Sequence, residues 1–213
     1  ETLAVARQIE EAGVRVFPIL GVHPAEITML TPRLSREEAV RVMQEGLTCA
    51  AGYVREGRAV GLKSGRPHYE VPPGIMDASN RVLGHALVLS SELGCALQIH
   101  AETGPCSDVF RMAESVGMDP SRVVKHYGSP DTPLTPSLMA KHEDIPSLCQ
   151  EGRAFTMESD YMDENSRPGA VIGPKSVPRF TFRMLQNGEI HEDDLYRIHQ
   201  QTPERVYGVD IRL

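Results

Sequence analysis

Three short apolar runs in this chain stop abruptly on a side chain that can carry a proton or hold a metal, and this punctuation constrains the fold more than any other feature. Ala96-Leu97-Gln98-Ile99 ends on His100, Val123-Val124-Lys125 ends on His126, and Ala154-Phe155-Thr156-Met157 runs into Glu158-Ser159-Asp160. Short, nearly continuous apolar runs suit strands of a parallel sheet buried on both faces. Chemistry placed at the carboxyl ends of such strands is how a parallel barrel or open sheet presents an active site. Two more junctions have the same character: Val14 through Val22 runs into His23, and Ala59-Val60-Gly61-Leu62 runs into Lys63.

Helical patterns separate these runs. Leu3, Ala6, Ile9 and Ala12 recur at helical spacing before Gly13. Ser35 and Glu38 have the spacing of a capping box ahead of an amphipathic helix through Val40, Met43, Leu47 and Ala50. Further helices are predicted over 77–93, stopped by Gly94, and over 107–116, closed by Gly117. Others are expected near 175–185 and 191–200, with a last turn at 203–207. The Pro-, Ser- and Thr-rich stretch from Gly128 to Pro136 reads as loop, followed by a short strand at 137–140. Strands therefore end near residues 22, 63, 100, 126, 140 and 159. Strands alternating with helices predict an α/β fold with right-handed crossovers, of the TIM-type (β/α)8 barrel. Six units in 213 residues are two short of such a barrel, which takes about 250. The expectation is one domain over residues 1–213 whose first one or two βα units lie outside this sequence.

Composition narrows the function. No apolar run approaches the roughly 18 residues of a membrane span, so no membrane role is expected. A net charge of −7 without any Lys/Arg run argues against a sequence-independent grip on nucleic acid but leaves a local basic loop able to hold one phosphate, so the partner expected is a small-molecule or nucleotide-like anionic substrate. Cys49, Cys95, Cys106 and Cys149 form no CxxC pair, and no secretory pattern precedes them, which points to reduced thiols in the cytoplasm.

His100, His126 and Asp160 come from separate strands whose carboxyl ends share one face. Neutral imidazoles with a carboxylate suit zinc or a similar divalent ion. The bland reading of any one of them is a structural side chain hydrogen-bonded to a neighbour. Lys63 has two readings: a carbamate, made by reaction with carbon dioxide, that acts as an anionic metal ligand, or an ammonium in a wet cavity mouth paired with Glu102 or Glu158. His68 is a weaker alternative ligand, and Arg66 a cation for the substrate. Lys175 and Arg179, in the first turns of a predicted helix, together with Arg167, suit a substrate phosphate or carboxylate.

Gly21-Val22-His23-Pro24, the strand ends at His100 and His126, Glu158-Ser159-Asp160 and the closing Thr202-Pro203-Glu204-Arg205-Val206-Tyr207-Gly208 resemble the TatD family of metal-dependent hydrolases, in the amidohydrolase superfamily of barrels. Gly65-Arg66-Pro67-His68-Tyr69 and the stretch from Arg167 to Lys175 are similar to its archaeal-type, uncharacterised branch. The resemblance covers essentially the whole chain. It implies that His100 and His126 are metal ligands from strands five and six. Asp160 would bind metal and act as the catalytic acceptor of a proton from the attacking water. His23 would line the pocket; Arg66, His68, Glu102, Lys175 and Arg179 are expected beside it as substrate contacts on the reading of the residues themselves. One or two divalent ions are implied, zinc first, with magnesium or manganese as alternatives, and the implied reaction is phosphoester hydrolysis, DNase-type cleavage included.

Two departures bear on this. The family's first strand carries a His-x-His pair that occurs nowhere here, and Gly61 is followed by Leu62 and Lys63 where TatD nucleases place a glutamate. Lys63 is similar instead to the lysine of phosphotriesterase-like members. That implies the alternative of an amide-, lactone- or phosphotriester-cleaving enzyme with a carboxylated lysine. A reading from another class is a barrel that has lost catalysis and serves as a binding or assembly subunit.

Overall fold

The computed structural model describes residues 1–161 and 173–211. Its centre is a parallel sheet of β1 (Ile19–Gly21), β2 (Gly61–Gly65), β3 (Ala96–His100), β4 (Val123–Lys125), β5 (Thr135–Met139) and β6 (Thr156–Glu158), ordered in space as in sequence. Leu20 lies opposite Leu62, Leu62 opposite Leu97 and Leu97 opposite Val123. Among the described residues β1 and β6 are the sheet's two edges, so six strands run in barrel order without closing.

The helices are α1 (Thr2–Glu11), α2 (Glu26–Leu30), α3 (Arg36–Arg55), α4 (Ile75–Leu93), α5 (Ser107–Ser115), α6 (Ile145–Gln150), α7 (Ser176–Gln186), α8 (Glu192–Tyr196) and α9 (Thr202–Tyr207). The Ser35–Glu38 spacing forms a complete capping box, each side chain serving the other's backbone amide, a device worth about 1 kcal/mol to a helix start. α3 and α4 press Met43, Leu47, Val82, Leu83 and Leu87 onto Leu62, Leu97 and Ile99 of the sheet. Side chains alternate along a strand, so burying Leu97 and Ile99 under the helices turns Gln98 and His100 to the opposite face.

Four local expectations are corrected. The strand read over 14–22 shrinks to Ile19–Gly21; Pro18 has no N–H, and the ladder begins where its carbonyl accepts from Val60 N at 2.8 Å. β5 starts at Thr135, inside the stretch read as loop, with Pro136 opposite Lys125. α2 follows His23 unannounced. The helix expected over 191–200 becomes α8 and a π-helical turn, Arg197–Gln201, which passes directly into α9. No helix among the described residues is long and apolar enough to cross a membrane.

Strand ends crowd at two glycines. A Cβ on Gly21 would lie 1.8 Å from the Lys63 carbonyl oxygen, and one on Gly65, at φ 147°, would lie 1.8 Å from the His100 carbonyl oxygen. Only glycine fits there, and its absence of side chain lets the ends of β1, β2 and β3 draw together.

Candidate active site

At the carboxyl ends of the strands lies a cavity of about 710 Å³, lined by His23, Lys63, Gln98, His100, His126, Glu158 and Asp160, with His68 and Tyr69 from the loop after β2. The imidazoles form a continuous chain. Ring centroids of His23, His68 and His126 stand 4.9, 4.6 and 5.3 Å from that of His100. His68 Nδ1 is 2.7 Å from His100 Nε2. Tyr69 bridges its loop to α2 through a 2.8 Å hydrogen bond between its hydroxyl and Thr28 Oγ1.

Glu158 orders the other end. Its Oε2 lies 2.8 Å from His126 Nδ1 and its Oε1 accepts from the Tyr127 amide at 3.0 Å. A carboxylate accepts only, so Nδ1 carries a proton, and Nε2 is the ring nitrogen turned to the cavity. That nitrogen faces Asp160 Oδ1 at 3.4 Å. Tyr127 and Asp160, side by side at the ends of β4 and β6, both hold left-handed backbone, at φ 49° and 47°. Non-glycine residues adopt that conformation at a cost, and such positions gather at functional sites.

Burial, reinforced by the neighbouring His23, His126, His68 and Lys63, drives the His100 pKa down to about 3. Burial and Lys63 also lower His23. Both rings are therefore neutral near pH 7 and offer lone pairs to a cation rather than charge to an anion. Burial outweighs the attraction of Glu158 and Asp160 at Lys63, whose pKa falls to about 8. A lysine so placed has free amine within reach near neutrality, the form that reacts with carbon dioxide.

Not every expected contact faces the cavity. His23, Lys63, His68, His100, His126 and Asp160 do. Arg66 and Glu102, expected at the substrate, sit instead in a network outside the lining. The Arg66 side chain is only 6% exposed; it donates to Glu102 through Nε at 2.7 Å and through Nη2, to Asp108 at 2.5 and 3.0 Å, and to Asn80 at 3.3 Å. Those partners raise its pKa against the effect of burial, and reaching a substrate would break every pair. Lys175 and Arg179 are exposed at the start of α7; Val177 between them lines the cavity and they do not. Arg167 lies outside the described residues.

Sequence reasoning gave no site role to Gln98, read Glu158 only as a strand-end acid and a partner for Lys63, and passed over Lys125. Strand alternation held the signal for the first two: Gln98 is two residues before His100 and Glu158 two before Asp160, each on its partner's face. Lys125 is 1% exposed, its Nζ donating to the carbonyls of Ala101 at 3.2 Å and His126 at 3.0 Å, and burial pulls its pKa down.

Among the described residues no three His, Cys, Asp or Glu side chains close on one point as a finished cation site. The donor chemistry nevertheless fits a divalent ion. Neutral imidazoles and a carboxylate are its usual ligands, a second carboxylate fixes the remote ring nitrogen of His126, and 3.4 Å between Nε2 and Oδ1 matches the edge of a tetrahedron with bonds of about 2.1 Å.

Comparison with known proteins agrees with this architecture. An uncharacterised protein of Methanocaldococcus jannaschii, MJ1127, is 37% identical over 218 residues, covering 94% of this chain and 75% of that protein. Among solved structures, an organophosphorus hydrolase from Deinococcus radiodurans superposes with a TM-score of 0.70 at 16% identity, over 96% of this chain and 74% of that one. A mutant of a phosphotriesterase-like lactonase from the same organism gives 0.68 at 16% identity, over 95% and 76%. At that identity the likeness is one of fold, the TIM-barrel arrangement of parallel strands and outer helices. A family model described as TatD related DNase matches residues 1–208, and the chain belongs to that family.

Proposed function

We propose that this protein is a metal-dependent hydrolase that cleaves a phosphoester bond in a small or nucleotide-like anionic substrate. The observation that carries the reading is the Glu158–His126–Asp160 arrangement, in which one carboxylate fixes the ring so that its free nitrogen faces a second carboxylate across 3.4 Å. His100, His126, Asp160 and Lys63 would hold one or two divalent ions, zinc first, with magnesium or manganese as alternatives. When bound, such an ion supplies Lewis acidity and lowers the pKa of a water. The chain's own residues do the rest. Asp160 accepts the proton of the attacking water, and Glu158 keeps His126 in one tautomer. Gln98 offers an uncharged amide to the cavity, which His23, His68 and Tyr69 also line. Family membership supports hydrolysis and a phosphoester.

A second reading has its own support. Burial lowers Lys63 to about 8, which favours a carboxylated lysine and, with the fold shared with a phosphotriesterase-like lactonase, a lactone or phosphotriester substrate. Elemental analysis of the full-length protein, coupled to turnover of an activated phosphodiester, a phosphotriester and a lactone, separates the two. Phosphodiester cleavage that requires metal supports the first reading. An active protein free of metal would sink both.

A further inference from the structure

We propose that Lys125 is a positioning residue for His100 and His126, acting with Arg66 as one buried clamp across the ends of β2, β3 and β4. The proposal rests on the reading that these histidines are donors in the cavity. In parallel register Lys125 lies beside Ile99, on the helix-facing side of the sheet and away from the cavity. The ladder between β3 and β4 ends where His126 N donates to the Ile99 carbonyl at 3.0 Å. Beyond that rung the Lys125 ammonium takes over, spanning the Ala101 and His126 carbonyls at 3.2 and 3.0 Å. Arg66 holds the same segment from the other side: its backbone N–H donates to the His100 carbonyl at 2.8 Å and its guanidinium grips Glu102. Three consecutive residues, 100 to 102, are thus pinned by the Arg66 backbone at His100, the Lys125 side chain at Ala101 and the Arg66 side chain at Glu102.

Acidic groups stand near both cations: Arg66 pairs with Glu102 and Asp108, and Lys125 feels the attraction of Glu102 and Glu158. Burying a lysine there is unfavourable against an apolar side chain of similar length, because taking an ion out of water has a cost. A methionine would fill the position without that cost, but would leave the two carbonyls without their donor. What the ammonium supplies is a fixed separation between the strand ends that carry His100 and His126.

Lys125→Met in the full-length, metal-free protein tests this. With histidine rings labelled with nitrogen-15, and signals assigned by their loss in His100→Gln and His126→Gln, the wild type should show one sharp set of signals for each ring. Lys125→Met should keep its far-UV circular dichroism while the ring signals of both histidines shift and broaden, and Lys125→Arg, which keeps the donors, should recover the wild-type pattern in part. Unchanged ring signals in folded Lys125→Met overturn the proposal. Should that variant not fold, Glu102→Gln takes its place, altering a half-exposed side chain and loosening one end of the Arg66 grip; a displaced His100 signal supports the clamp and an unchanged one overturns it. Titration with Co2+ should show affinity weakened about 10- to 100-fold in Lys125→Met, the usual scale for groups that orient ligands. A wild type that takes up no Co2+ counts against the proposed hydrolase and leaves the ring measurement as the test of the clamp.

Discussion

At the scale of single residues, Asp160 offers a clean substitution because of its backbone. Asparagine tolerates the left-handed conformation that Asp160 holds at φ 47°, so Asp160→Asn removes the acid and leaves the turn intact. It is expected to lower kcat by about 100-fold or more with little change in melting temperature, the scale of a lost general base. Near-normal turnover would make Asp160 structural. Lys63 separates its two readings by charge. Lys63→Glu should retain more metal and activity than Lys63→Met, since a carboxylate can still ligate, and short carboxylic acids with excess zinc should partly restore Lys63→Ala. Retention of both metal and activity in Lys63→Met would identify a solvated ammonium. These residues were legible in the sequence because each ends an apolar run, and position along a strand is a local property. The partnership of Arg66 with Glu102 and Asp108 was not, because it depends on which way side chains lean across the segments after β2 and β3 and the start of α5. Lys125 was hidden for the same reason: in a run of buried residues it reads as one more strand position, and only the register with β3 shows the carbonyls within its reach.

At the scale of elements, the strand ends near 63, 100, 126 and 159 could be read to within two residues, since apolar runs bounded by polar groups set them. The start of β1 could not, because Pro18 interrupts the ladder while leaving the apolar pattern unbroken. Close approach between β2 and β3 leads to a stability prediction. Gly65→Ala sets a methyl against the His100 carbonyl and strains a positive φ, so it should lower the denaturant midpoint by the equivalent of about 3 kcal/mol. A loss under about 1 kcal/mol would mean that the strands part easily. The π-helical turn between α8 and α9 carries His199, whose Nε2 lies 2.9 Å from Thr181 Oγ1 of α7. Burial holds its pKa below the ordinary 6.5. The unfolded ring takes its proton at 6.5 and the folded ring only at lower pH, so the unfolded state binds more protons and stability falls as pH drops below about 6.5. His100 and His23 act in the same direction, so the readout is a difference: urea midpoints of His199→Gln should fall less steeply than wild type between pH 7.5 and 5. Equal slopes would show that His199 titrates alike in both states.

At the scale of the whole molecule, a net charge of −7 sets a background field that repels long polyanions. Under the proposed function, a nucleotide-sized phosphodiester should be hydrolysed with a higher kcat/KM than long duplex DNA, and the gap should narrow as salt is added. A preference for duplex DNA at low salt would contradict this. The order of the sheet acts on another plane, that of synthesis. Each strand pairs with the strand made just before it, so β2 finds β1 already emerged, β3 finds β2, and the sheet can grow in step with the ribosome. The cavity groups emerge in the same sequence, from His23 through Lys63, His100 and His126 to Glu158 and Asp160. A nascent chain therefore carries its imidazoles before Glu158, which orders one of them, or Asp160, which faces it, has been made, so the geometry of the cavity is set only when β6 docks.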